Sequence, residues 1–313
     1  MAATPVAVFL LPPIDALRGV RAPSLELLHA RGDASPAREP GLFPALSGLV
    51  DAHPWPPAIA ALTRAVDAPN DAAGAWLRAD PCYLQPDHAG VRLFGFGTLA
   101  LTAAEAAELA RALRPLFGDD GFELSLPHPD RWYLRLPTGA KLPRFAHPGD
   151  ALGADLHDHL PEGELGKRWR RLLGEAQVIL HNHPVNAERA ARGALPANSV
   201  WFWGGGARPD WVRTAATLVA SDDPSLHGLA TIAGTTSRLL DPALAVADGQ
   251  GLRLLDLRGE ADVATLERDW LAPAVAHLRA GGIASLELRS VDGTTRTATR
   301  GALRRFWRRV KPL

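Results

Sequence analysis

Short runs of consecutive apolar residues, bounded by proline or glycine, alternate along this chain with segments of helical period. That alternation restricts the fold more than any single motif does. Val6–Leu11 is the plainest run, wholly apolar and closed by Pro12-Pro13. A strand without a polar side has no face for water, and such strands belong to sheets covered on both faces. Leu226–Ala233, Gly251–Leu257 and Ile283–Leu288, mostly apolar, are further strand candidates, with a helix over Leu266–Arg279 that Gly281-Gly282 ends. Strands that alternate with helices in this way predict a largely parallel sheet.

The first half carries other signals. A helix is expected over Pro56–Val66, with Pro57 in its first turn, where a missing N–H costs nothing. A strand or extended turn is expected over Trp76–Leu84, where Pro81 biases Asp80 away from helical geometry, and a strand over Val91–Gly95 after an Asp87-His88-Ala89-Gly90 turn. Thr102, with Glu105 three residues later, predicts a capping box that starts a helix running to about Leu113. Phe122–Leu126 and Trp132–Leu136 read as a hairpin across His128-Pro129-Asp130. Between Gly166 and His181, Trp169, Leu172, Leu173, Ala176, Ile179 and Leu180 recur on one helical face, and Pro184 stops or bends that helix. The expected fold is α/β: one mixed unit over residues 1–313, with a mostly parallel sheet flanked by helices. Residues 70–150 form a candidate subdomain with antiparallel strands.

Charge narrows the partners. The 34 basic residues balance 34 acidic ones, so neither nucleic acid nor a membrane is expected as a partner, and a protein partner stays unspecified. Arg304, Arg305, Arg308, Arg309 and Lys311 are the one strongly basic cluster. They read as a solvated helix end whose cations suit the helix dipole, with a phosphate or polyanion contact as the alternative. Cys82 is the single cysteine, which rules out an intrachain disulfide, and it reads as a buried structural thiol. The apolar start lacks a basic flank, and no run reaches the roughly 18 apolar residues of a spanning helix. The cytoplasm is therefore the expected location.

The densest chemistry lies between His181 and Gly206. His181, His183, Asn186 and Arg189 surround Pro184, and Asn198 precedes Trp201-Phe202-Trp203-Gly204-Gly205-Gly206. A bend at Pro184 would aim both imidazoles and Asn186 into a cleft, and Arg189 would clamp a phosphate or carboxylate there. Gly204, Gly205 and Gly206 would let backbone approach the ligand at a strand end. Each residue also has a structural alternative: a backbone-bonded histidine, a helix-capping asparagine, a surface ion pair for Arg189, core tryptophans and a tight glycine turn. Arg78 and Asp80, ahead of Pro81, are secondary ligand candidates, with a salt-bridged turn as their alternative. His157-Asp158-His159 lacks the flanking ligands a metal site needs, and no metal or cofactor is expected.

At these residues the chain resembles the archaeal-type, cofactor-independent phosphoglycerate mutases of the alkaline phosphatase superfamily. The shared pattern reads His183-Pro184-Val185-Asn186-Ala187-Glu188-Arg189, Gly193, Ala197-Asn198, Val200–Trp203 and Gly204–Gly206, followed by His227–Gly234 as a further strand region. Over its whole length, including Leu77-Arg78-Ala79-Asp80-Pro81, it resembles a bacterial group of RpfE-type regulatory, phosphoglycerate mutase-like proteins. The mutase resemblance implies two metal ions beside a phosphorylated serine, an early Asp-Gly and a later Asp…His run. This chain departs from all of these. It has Leu11-Pro12-Pro13-Ile14-Asp15 at the start, and Arg258-Gly259-Glu260-Ala261-Asp262 where the Asp…His run belongs. Two-metal catalysis needs the full ligand cage. The expectation is thus a catalytically degenerate, mutase-like protein, without enzymatic turnover, that binds a small phosphorylated or carboxylated metabolite in a regulatory role. An active phosphomutase or phosphohydrolase with a rearranged site, and a protein-interaction module, are the alternatives.

Overall fold

Strand β1 (Val6–Leu11) sits inside a seven-stranded sheet, where its unbroken apolar run requires it to be. The computed structural model describes residues 5–86, 88, 90–247 and 250–312; Asp87 and Ala89 of the expected turn lie outside the described residues. Strands are numbered in chain order. The sheet order is β11 (Thr236–Arg238), β10 (Ala216–Ala220), β12 (Leu252–Asp256), β1, β13 (Ser285–Ser290), β14 (Thr295–Thr299) and β2 (Asp33–Ala34). The first five run parallel to their neighbours and the last two are antiparallel. Phe9 and Leu11 pack with Leu25 and Leu28 of the helix Pro23–Arg31, and with Trp270, Leu271 and Leu278. Those last residues lie on a wide π-turn, Leu266–Leu271, that continues into the helix Ala272–Ala280. Pro273 falls in the first turn of that helix, where its missing N–H is tolerated. Gly281, left-handed at φ +89°, then closes it.

The chain forms two compact units. The first combines Met1–Pro56 with Asp210–Leu313, and the second is Pro57–Pro209. This differs from the expected single unit with a subdomain over 70–150. The reason is topological: β1 pairs with β12 and β13, strands more than two hundred residues away, so the two ends of the chain complete one sheet. The excursion leaves from β3 (Val50–His53) and returns through β9 (Trp211–Thr214), which pair antiparallel with His53 opposite Trp211.

The second unit holds the antiparallel portion. β4 (Ala75–Pro86) pairs with β5 (Val91–Phe96), β7 (Arg131–Leu136) and β8 (Ser199–Ala207), and β7 pairs with β6 (Glu123–His128). The Thr102–Glu105 capping box forms as the sequence predicts and starts the helix Ala103–Asp119. Leu113 and Phe117 of that helix meet Trp169 and Leu172 of the helix Gly163–His181, with Phe202 of β8 among them. Burial of each such side chain contributes roughly 1.5–3 kcal/mol.

Three local readings change. Leu226–Ala233, expected as a strand, is the body of a helix, Pro224–Ala233. Asp223 caps it by accepting from the Ser225 amide at 2.8 Å, Pro224 occupies the first turn, and left-handed Gly234 ends it. Gly204, Gly205 and Gly206 do not end their strand, because β8 continues through them to Ala207. The basic cluster is not a helix end: only a 3-10 turn, Ala302–Arg304, forms there.

Candidate functional site

The stretch from His181 to Gly206 is tied to its own unit by hydrogen bonds. His183 caps the helix Pro184–Ala191, its Nδ1 accepting from the Val185 amide at 3.3 Å, and His181 is exposed at the end of the preceding helix. Asn186 is buried. Its amide donates to the carbonyls of Leu180 (2.7 Å) and Ala197 (2.9 Å), and its oxygen accepts from the Ala197 amide at 2.9 Å. Asn198 bonds both backbone groups of Leu84, each at 2.8 Å, as a neighbouring strand would.

Arg189 is only 1% exposed. Its guanidinium donates to both oxygens of Glu105 at 3.1 Å, to the Leu195 carbonyl at 2.9 Å and to the Leu99 carbonyl. The expected anion clamp is therefore filled by a protein carboxylate. The glycines meet hydrophobic side chains: a Cβ on Gly205 would lie 2.6 Å from Leu142, one on Gly206 2.8 Å from Ala58, and one on Gly204 3.0 Å from Ile59. They admit packing partners, not a ligand.

Arg78 and Asp80 share one side of β4 and form a buried ion pair at 2.7–2.8 Å. Asp80 also accepts from the Trp203 indole at 2.7 Å and the Trp132 amide at 3.1 Å. Burial pushes the Cys82 thiol well above its ordinary value, so it stays an inert thiol.

A different set of residues forms an open concavity. In the first unit, a crevice of about 720 Å³ lies outside the carboxyl ends of β10 and β12, lined among others by Asp222, Asp223, Asp256, Arg258, Glu260 and Trp270. Open α/β sheets present ligand crevices at that edge because loops leave the strands there and side chains converge. Arg258 holds the crevice together. Its Nε donates to Asp256 at 2.6 Å, and its Nη2 donates to Asp256 and Asp223 at 2.8 Å each. The Ser221 hydroxyl donates to Asp256 at 2.7 Å and accepts from the Asp223 amide at 2.8 Å. Ser221 is fully buried with both roles filled, so it is a brace and not a nucleophile.

Burial pushes the Asp223 carboxyl up, but the Arg258 guanidinium and the bonds from Ser225 outweigh it and leave the group below its ordinary value. For Arg258, burial acts to discharge the group, and the two carboxylates more than reverse this. The cluster is thus two carboxylates joined by one guanidinium. Sequence reasoning missed it. The available signal was polar residues directly after two apolar strands, Ser221-Asp222-Asp223 and Asp256-Leu257-Arg258.

The two metal ions implied by the mutase resemblance would need free carboxylates and imidazoles. Asp223 and Asp256 already bind Arg258, and among the described residues no group of three or more His, Cys, Asp or Glu side chains is placed to hold a metal ion. The residues present do not fit a two-metal centre.

Fold and crevice together define an α/β protein with a mixed, mostly parallel sheet and a carboxylate–guanidinium cluster at its carboxyl edge. No family model matches the chain. It is 34% identical over 112 residues to a probable 2,3-bisphosphoglycerate-independent phosphoglycerate mutase from Geobacter sulfurreducens, covering 35% of this chain and 27% of that protein. It is 24% identical over 201 residues to the 2,3-bisphosphoglycerate-independent phosphoglycerate mutase from Methanothrix thermoacetophila, covering 64% of this chain and 47% of the relative. The chain thus spans less than half the length of these curated relatives. Among solved structures, PH0037 protein from Pyrococcus horikoshii aligns with 95% of this chain and 87% of its own, at a TM-score of 0.51 and 12% identity, which shows a shared fold. The cofactor-independent phosphoglycerate mutase from Thermoplasma acidophilum aligns with 96% of this chain and 90% of its own, at 17% identity and a TM-score of 0.44. The chain is a distant relative of the cofactor-independent phosphoglycerate mutases.

Proposed function

We propose that this mutase-like chain binds a small phosphorylated or carboxylated metabolite in the crevice at the carboxyl edge of its parallel sheet, without the two-metal chemistry of a mutase. The observation that carries the reading is the guanidinium of Arg258 spanning Asp223 and Asp256. A cation built into the chain neutralises the carboxylates that would otherwise attract metal ions. Nη1 of Arg258 has no partner among the described residues, and the side chain is 21% exposed. It can donate to one phosphate or carboxylate oxygen. The remaining acids, Asp222 and Glu260 among them, would repel a highly charged anion but accept from hydroxyls. A hydroxylated metabolite with a single anionic group is the best match. Binding without turnover is the behaviour of a sensor, so a regulatory role is the use we infer.

Two measurements test this. Purified protein with 2- or 3-phosphoglycerate and Mg²⁺ or Mn²⁺ is expected to show no interconversion; metal-dependent interconversion would overturn the reading. In calorimetry with 3-phosphoglycerate and other hydroxylated phosphates and carboxylates, at least one is expected to bind. Arg258→Lys keeps the neutralising charge but loses the free N–H pair, and is expected to weaken that binding about tenfold or more. Failure of all these compounds to bind, or binding unchanged in Arg258→Lys, removes the crevice as the site.

A further inference from the structure

The segment after Asp292 contains no acidic residue but seven cations: Arg296, Arg300, Arg304, Arg305, Arg308, Arg309 and Lys311. Overall charge balance conceals this local segregation. Between the cations stand Phe306 and Trp307, 80% and 66% exposed, with Val310 beside them at 39%. An exposed aromatic pair is unusual, because burying its rings would contribute several kcal/mol. The pair is not a loose end. Ala302 and Leu303 are buried, Arg305 donates to the carboxylate of Asp33 at 3.0 Å, and Arg308 donates to the Gly32 carbonyl at 2.9 Å. Those two arginines fasten the segment to the end of the helix Pro23–Arg31. Arg304, Arg309 and Lys311 are exposed and have no ion pair or side-chain hydrogen bond among the described residues.

We propose that residues 304–311 form a docking strip for an anionic lipid surface, with Phe306 and Trp307 entering the interface and Arg304, Arg309 and Lys311 meeting headgroup phosphates. Aromatic rings settle at headgroup depth, and cations near an anionic leaflet add attraction one by one. The ring geometry favours lipid over single-stranded nucleic acid. Phe306 and Trp307 pack edge to face, 5.3 Å apart at 84°, and make one apolar knob where base stacking would use two separate platforms. Val310, itself exposed, adds aliphatic surface to the same segment that bases would not use. No helix among the described residues is long and apolar enough to cross a membrane, so the contact is peripheral. This revises the expectation of no membrane partner, which rested on the charge summed over the whole chain.

The test is co-sedimentation of the full chain with vesicles of phosphatidylcholine, with and without phosphatidylserine. The protein is expected to pellet with the phosphatidylserine vesicles alone, and to release as salt is raised. Removing the three free cations together (Arg304→Ala, Arg309→Ala, Lys311→Ala) is expected to lower binding on the order of a hundredfold, about fivefold for each cation. Phe306→Ala with Trp307→Ala is expected to lower it at least about tenfold. The substituted side chains are exposed, so melting temperatures should match the parent and separate lost docking from lost folding. Equal pelleting with both vesicle types, no pelleting with either, or variants that bind like the parent would each overturn the proposal. Binding of a single-stranded oligonucleotide without vesicle binding would overturn it in favour of a nucleic-acid surface.

Discussion

Glu105 carries two structural tasks with one carboxylate. It closes the capping box of the helix Ala103–Asp119 by accepting from the Thr102 amide at 2.8 Å, and it receives the guanidiniums of Arg189 and Arg192. Burial acts to raise its carboxyl, but the Thr102 amide and the two arginines outweigh this and bring it from 4.5 to about 2. A folded-state value below the unfolded one stabilises the protein only while the group is ionised. That contribution is fully present above about pH 4.5 and is lost as pH falls toward 2. Urea unfolding followed across this range should show parent stability declining more steeply with acid than that of Glu105→Gln, whose amide does not titrate. Parallel declines would show that Glu105 is not held in this way. Arg189 explains why the sequence pointed elsewhere. An arginine near a helix-breaking proline has the same appearance whether its partner is a ligand or a carboxylate some eighty residues away.

Among the elements, β8 shows how glycines can serve packing. Helix Ile59–Asp67 lies against this strand so closely that a side chain at 204 would press on Ile59, while one at 206 would meet Ala58 just ahead of the helix and one at 205 would meet Leu142 and Leu77. Gly204 is also left-handed, at φ +65°. Gly204→Ala should be destabilising by about 1–3 kcal/mol, because its left-handed backbone strains any side chain and the new methyl would stand 3.0 Å from Cβ of Ile59. A denaturant midpoint that falls with the slope unchanged is the expected signature; an unshifted midpoint would mean that the contact relaxes at no cost. The sequence suggested a strand end open to a ligand at these glycines, because glycine runs commonly end strands. Close packing, the actual cause, brings chain from about 145 positions earlier against Gly204 and Gly206 and leaves no local mark.

For the whole molecule, the main fact is that residues 57–209 interrupt a first unit whose sheet is built from segments on both sides of them. The second unit has its own core of buried aromatics and a five-stranded sheet whose pairings all lie within it. Its two ends approach each other, since a Cβ on Gly206 would stand 2.8 Å from Ala58. A unit with its own core and adjacent termini meets the conditions for folding alone. The excised fragment 57–209 is expected to give native-like near-UV circular dichroism and a cooperative thermal transition. A fragment that stays unfolded at every temperature would show that its core depends on the rest of the chain.

From the sequence alone came the period of most elements: the buried β1, the Thr102 capping box, the hairpin of β6 and β7, the helix that ends before Pro184 and the α/β class with a mostly parallel sheet. These depend on local geometry and on apolar pattern, which neighbours in sequence specify. Only the tertiary structure decided which strands lie beside β1, that two units exist, and that Asp223, Asp256 and Arg258 converge while Arg189 is occupied by Glu105. Burial and charge pairing are properties of residues brought together across long separations. No window of sequence contains them, and it is these that separate a structural arginine from one that faces a crevice.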